Sequence, residues 1–123
     1  MMIRIWLAIA GLGGVASVLA GAAAVHFGND PRTIELLRNG SLYGMVHAAA
    51  LLAVIAFAQG REPRRGAAVF AGCSFAVGIV LFSFAQFAHA VTGRAWFAGA
   101  VPFGGTAFIL GWAALALLAC RRR

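Results

Sequence analysis

An all-α integral membrane protein, a four-helix bundle of membrane spans, is the fold this sequence predicts, and three observations predict it. Four apolar stretches of about 20 residues or more follow one another along the chain, and at about 1.5 Å rise per residue each reaches across a bilayer core of ~30 Å. Of the 123 residues, 63% are apolar and 11% charged, too little polar surface to cover a soluble domain of that size. The arginines sit in short clusters between the apolar stretches, where they read as topology signals. A net charge of +7 therefore does not point to nucleic acid, and no aromatic–basic interleaving of the single-strand-binding kind accompanies it. Residues 1–123 read as a single transmembrane domain.

The first span is predicted over about 3–27. Arg4, an apolar run and a small-residue patch at Leu19-Ala20-Gly21 imitate a signal peptide. The apolar run continues unbroken through Val25, however, and an uncleaved span is the expectation. Gly13, Ser17 and Gly21 recur every four residues on one face. Small residues at that spacing let helix backbones approach closely, so this face is predicted to pack on a neighbour. Trp6 suits an interfacial anchor. In the following connection, Asn29 or Asp30 can cap a helix, Pro31 fits its first position and Gly40 fits just past its end. Ile34 and Leu37 would share a face while Arg32, Glu35 and Arg38 stay wet. That pattern predicts a short interfacial helix between spans one and two, or one running into span two; a polar loop covering the bundle end is the alternative.

The second span, 41–59, carries no formal charge and one costly residue, His47. Gly60 to Gly66 combine glycine, proline and charge and predict a tight hydrophilic turn. The third span, 67–91, is the most aromatic and is closed by Thr92-Gly93-Arg94, with Trp96 at the interface. The fourth, 101–120, opens near Pro102, where a missing N–H does no harm. Gly104, Ala107, Gly111 and Ala114 give it a second small-residue face. An even number of spans puts both termini on one side, with Arg4, Arg61, Arg64, Arg65 and Arg121 to Arg123. The opposite side has Arg32, Arg38 and Arg94, offset by Asp30 and Glu35, so the N and C termini are predicted to be cytoplasmic. Cys73 and Cys120 have neither a CxxC nor a metal-finger spacing. On this orientation they face a reducing compartment and read as small packing residues.

The same topology brings His26, His47 and His89 near one level. Imidazole is the commonest metal ligand, and three could bind one metal ion or a haem iron as cofactor. The plainer reading is hydrogen bonding to water, a headgroup or a backbone carbonyl, and contact with a quinone or lipid headgroup is a third. Gln86 and His89 share a face with Phe82, and Tyr43 and His47 make a similar pair four residues apart. Joined across the two spans, they would form an interhelical polar cluster worth about 0.6–2 kcal/mol per bond. No carboxylate lies inside a span, which removes the usual group for proton-coupled transport. A small-solute carrier would also need a water-filled path that packed glycine faces do not suggest. No nucleophile–base pair, phosphate loop or paired carboxylates can be assembled, so no enzyme is expected. The expectation is a non-enzymatic membrane protein with no resident cofactor, an accessory or structural subunit or a homo-oligomer; a histidine-held metal or haem is the rival reading.

Four motifs carry a family resemblance. Gly21-Ala22-Ala23-Ala24-Val25-His26-Phe27-Gly28 resembles a GAxGAHG pattern that ends a first span, and Tyr43 to Leu52 is similar to YxMxHALALL. Gly78 to Ser83 is similar to GxxLFS, and Pro102 to Trp112 to TPxGGxxFxxGW. In order and over most of the chain, these resemble a small membrane family catalogued as domain of unknown function number 423, which includes the transmembrane protein 256-like proteins. The resemblance implies four spans, a bacterial inner-membrane or organellar location, and no assigned activity. Val101 stands where the pattern has threonine, and His89 lies outside the pattern, so a three-histidine site would not be a family feature.

Overall fold

A computed structural model describes residues 1–27, 29–59 and 65–120. Four helical runs, Met2–His26, Pro31–Ala58, Arg65–Thr92 and Ala95–Leu117, are each long and apolar enough to cross a membrane, and no strand occurs among the described residues. In hydrocarbon, a helix satisfies its own backbone groups without an outside partner, which is why such runs take this form.

Helix α1 spans Met2–His26, and the Phe27 N–H closes it on the Ala23 carbonyl at 2.8 Å. Helix α2 spans Pro31–Ala58. Asp30 Oδ1 accepts the Thr33 N–H at 2.9 Å, and Pro31 occupies the first turn, where its missing donor is harmless. The expected short interfacial helix is not a separate element, because α2 runs unbroken through Gly40. Gly40 ends nothing: the only positive-φ residue among those described is Gly93. The space beside Gly40 belongs instead to the Phe87 ring, which an added Cβ would meet at 2.5 Å.

The third run consists of α3 (Arg65–Gly78), a π-helical segment (Ile79–Phe84) and α4 (Ala85–Thr92). Gly93, at φ 66°, caps α4 through its N–H to the His89 carbonyl at 2.8 Å, as the Thr92-Gly93-Arg94 signal predicts. A 3₁₀ turn, Ala95–Ala100, then leads into α5, Val101–Cys120. The turn expected over Gly60 to Gly66 falls mostly outside the described residues, as do Gly28 and Arg121 to Arg123; Arg65 and Gly66 are already helical.

The glycines set the packing register. Gly13 faces Ile79 and Ala48, and Gly21 faces Ser41. Gly40 faces Phe87 and Gly44 faces Ser83, while Gly78, Gly104 and Gly111 receive Phe108, Phe82 and Phe75. Between consecutive runs, later positions on one meet earlier positions on the next, so consecutive runs are antiparallel and both termini share one end; α1 also touches the third run, parallel to it, through Gly13–Ile79 and Trp6–Gly72. The two small-residue faces predicted from Gly13, Ser17 and Gly21 and from Gly104 and Gly111 thus pack within the bundle.

Leu51, Val54, Phe75 and Ile79 form the fully buried centre. Trp6 joins them at 3% exposure, its ring lying over Gly72, and so is a core residue rather than the expected interfacial anchor. Cys73 also departs from expectation: α3 buries Ala68, Ala71 and Phe75, which leaves Cys73 exposed on the outside. Large apolar residues such as Leu19 and Ile109 cover the exterior, a surface that lipid solvates and water would not.

Candidate functional site

His47 lies on the inward face of α2, 4% exposed. Its ring stacks on Phe108 with centroids 3.5 Å apart and planes 11° apart, and Phe75 and Trp112 complete the surround. Nδ1 is 2.7 Å from the Tyr43 carbonyl oxygen, and Trp112 Nε1 is 3.0 Å from Nε2. An indole N–H only donates, so Nε2 accepts and the ring proton sits on Nδ1, which donates to Tyr43. Both imidazole nitrogens are thereby engaged, and no lone pair remains for a metal. Chemically, the arrangement ties α2 to α5 by one hydrogen bond and one stack.

A second polar level lies beside it. Ser41 Oγ donates to the Ser17 carbonyl at 2.6 Å, and Gly44 leaves room for the hydroxyls of Ser17 and Ser83, which would collide with a Cβ there. Those two hydroxyls have no partner among the described residues.

Gln86 and His89 are elsewhere. With Phe82 they line a cleft of about 300 Å³ at the end of the bundle opposite the termini, together with Arg32, Glu35 and Asn39 from the start of α2. Gln86 is 4% exposed and makes no hydrogen bond to another described residue, while His89 is half-buried. Arg32 and Glu35 form a loose, exposed ion pair at 3.8 Å.

The cluster of Tyr43, His47, Gln86 and His89 therefore divides: His47 bonds to Trp112 of α5, Tyr43 holds His47 through its carbonyl and packs its ring on Phe82, and Gln86 and His89 open on the cleft. The three histidines do not meet either. His26 is exposed at the end of α1, its ring edge-on to Phe27 at 6.4 Å. Among the described residues, no group of three or more His, Cys, Asp or Glu side chains is placed to hold one ion. Sequence reasoning missed Trp112 and Phe108 as the partners of His47. Their signal was available: they stand four apart on one helix face, as Tyr43 and His47 do, and an indole N–H in mid-span needs an acceptor.

The segments that carry the motifs meet around His47. Tyr43, Gly44 and His47 come from one, Gly78, Phe82 and Ser83 from another, and Gly104, Phe108, Gly111 and Trp112 from a third. A family model described as "Protein of unknown function (DUF423)" matches residues 20–105. The chain is also 32% identical over 116 residues to the UPF0382 membrane protein YwdK of Bacillus subtilis (strain 168), covering 89% of this chain and 94% of that protein. No solved structure matches. With most of its length matched and its four apolar helices in place, the chain is a multi-pass membrane protein that belongs to the DUF423 family.

Proposed function

We propose that the chain is a non-enzymatic structural or accessory component of a bacterial inner membrane, acting by helix contact with a second copy or a membrane partner, with both termini cytoplasmic. One observation carries this reading. The Gly13–Ser17–Gly21 edge of α1 is occupied by α2 and by Ile79, yet α1 also holds Gly11 and Gly14, and a Cβ added at either meets nothing within 4 Å. Three residues apart, they leave a bare stretch of helix backbone on which another span can approach closely. The buried His47, with both nitrogens bonded inside the bundle, supports a structural role for that residue.

Cysteine cross-linking in native membranes tests it. Cys73 and Cys120 are replaced by serine and Gly11 by cysteine, and the membranes are oxidised. A Gly11-dependent homodimer or a discrete heavier adduct is expected. Monomer alone, from this position and from Gly14→Cys, overturns the proposal.

A further inference from the structure

The cleft opposite the termini opens on the amide of an otherwise buried side chain. Gln86 is 4% exposed, lines the cleft, and makes no hydrogen bond to a described residue. Polar groups at such depth are normally paired, and the accessible space that the Gln86 amide meets is the cleft, where a ligand can complete it.

The lining constrains what that group is. Arg32 and Glu35 stand at the rim with opposite charges, and their 3.8 Å separation exceeds the roughly 2.7–2.9 Å of a charge-assisted hydrogen bond, so each keeps bonding capacity. His89 stands one turn beyond Gln86 on the same wall. Leu36, Phe82 and Val101 make the rest of the wall apolar. A volume of about 300 Å³ is at the small end for ligand sites and suits a headgroup whose tail leaves through the open side. The cleft also sits within about two turns of the helix ends at Asp30 and Gly93, the depth at which lipid headgroups begin.

We infer that this cleft binds the headgroup of a phospholipid carrying a primary ammonium. Its phosphodiester oxygens accept from Arg32, His89 and the Gln86 amide, and its ammonium donates to Glu35. A quaternary ammonium has no N–H to give Glu35, so ethanolamine-type headgroups are held in preference to choline-type ones.

The experiment reconstitutes the full chain in nanodiscs of equal ethanolamine and choline phospholipid, and native mass spectrometry counts the lipid retained after release. One ethanolamine lipid per chain is expected, enriched at least about fivefold over choline lipid. Glu35→Ala, at a position 61% exposed and therefore neutral for folding, removes the acceptor and is expected to abolish the preference, and Gln86→Leu to lower retention of both lipids. Equal retention of the two lipids by the unaltered chain, or an unchanged preference in Glu35→Ala, overturns the inference. Soluble glycerophosphoethanolamine is the second arm. Weak binding, at least about a hundredfold poorer than the lipid, is expected; equal binding overturns the lipid as occupant in favour of a free phosphodiester. Neither arm depends on whether α1 docks a partner.

Discussion

His47 and His89 are the same side chain on neighbouring helical runs of one bundle, and their surroundings make them opposite in kind. His47 has a donor on one nitrogen, an acceptor on the other and an aromatic ring on its face. His89 shares a cleft with Gln86, which bonds to no described residue, and with a loosely held ion pair. The difference teaches that a costly residue in a membrane span is not by itself a functional pointer. What counts is whether its hydrogen-bonding capacity is already filled. By that measure His47 is structural, and the cleft at the end opposite the termini keeps bonding capacity open.

The largest expected effect removes both regions at once. Gly104 brings α5 against the π-helical segment, and a Cβ there would lie 2.5 Å from the Phe82 backbone nitrogen. Backbone cannot yield as a side-chain tip does. Phe108, which stacks on His47, lies one turn later on α5, and Val101 of the cleft one turn earlier. Gly104→Val is expected to destabilise the fold by about 3 kcal/mol, with loss of both Trp112 environment and cleft, measured by thermal unfolding in detergent and by Trp fluorescence.

A smaller change separates the two regions. Trp112→Phe keeps the aromatic surface but leaves His47 Nε2 buried without a donor, an expected cost of about 1–2 kcal/mol with lipid retention in the cleft unchanged. Its control lies one helix away. The Ser83 hydroxyl has no partner among the described residues to lose, so Ser83→Ala is expected to stay within about 0.5 kcal/mol of the parent or to stabilise it. Chemical denaturation of the three proteins side by side checks the order, and a Trp112→Phe protein as stable as the parent would break the comparison.

Much of this fold was legible because membrane helices announce themselves by composition. The four spans, the Asp30–Pro31 start and the Gly93 stop follow from local rules that no tertiary contact overrides. Gly40 was misread for the converse reason: a glycine past a capped helical turn looks like a terminator, and only the Phe87 ring from another run reveals a packing role. Trp6 failed likewise, since an aromatic near a helix start reads as an anchor until Gly72 opposite makes a slot for it. In the polar cluster, the within-helix pairs were legible and their partners across helices were not. The π-helical segment, whose wider turn changes the face that the following residues present, has no mark in the sequence from which to compute that rotation. It lies directly before Gln86 and His89, the residues whose destination was wrong.

The smallest expected effect is confined to the cleft end and rests on Asp30. Hydrogen bonds from Thr33, through its side chain first and its backbone amide second, hold the Asp30 carboxyl below its ordinary value of 3.8. A folded value lower than the unfolded one means that the cap stabilises above the ordinary pKa and is lost as pH falls through the folded value. No change in the first turn of α2 is therefore expected between pH 7 and 5, and fraying is expected below about pH 4. That turn carries Arg32 and Glu35, so fraying disturbs the cleft rim while the His47 bonds, more than two turns along α2, stay intact. Asp30→Asn separates cap from charge, because asparagine caps as well as aspartate but does not titrate. Hydrogen exchange at the Thr33 amide, corrected for the intrinsic rate, should lose protection at low pH in the parent and keep it in Asp30→Asn, with residues around His47 protected in both. Equal loss in both proteins would mean that the acid effect lies elsewhere, and that the open end of the bundle does not owe its shape to this cap.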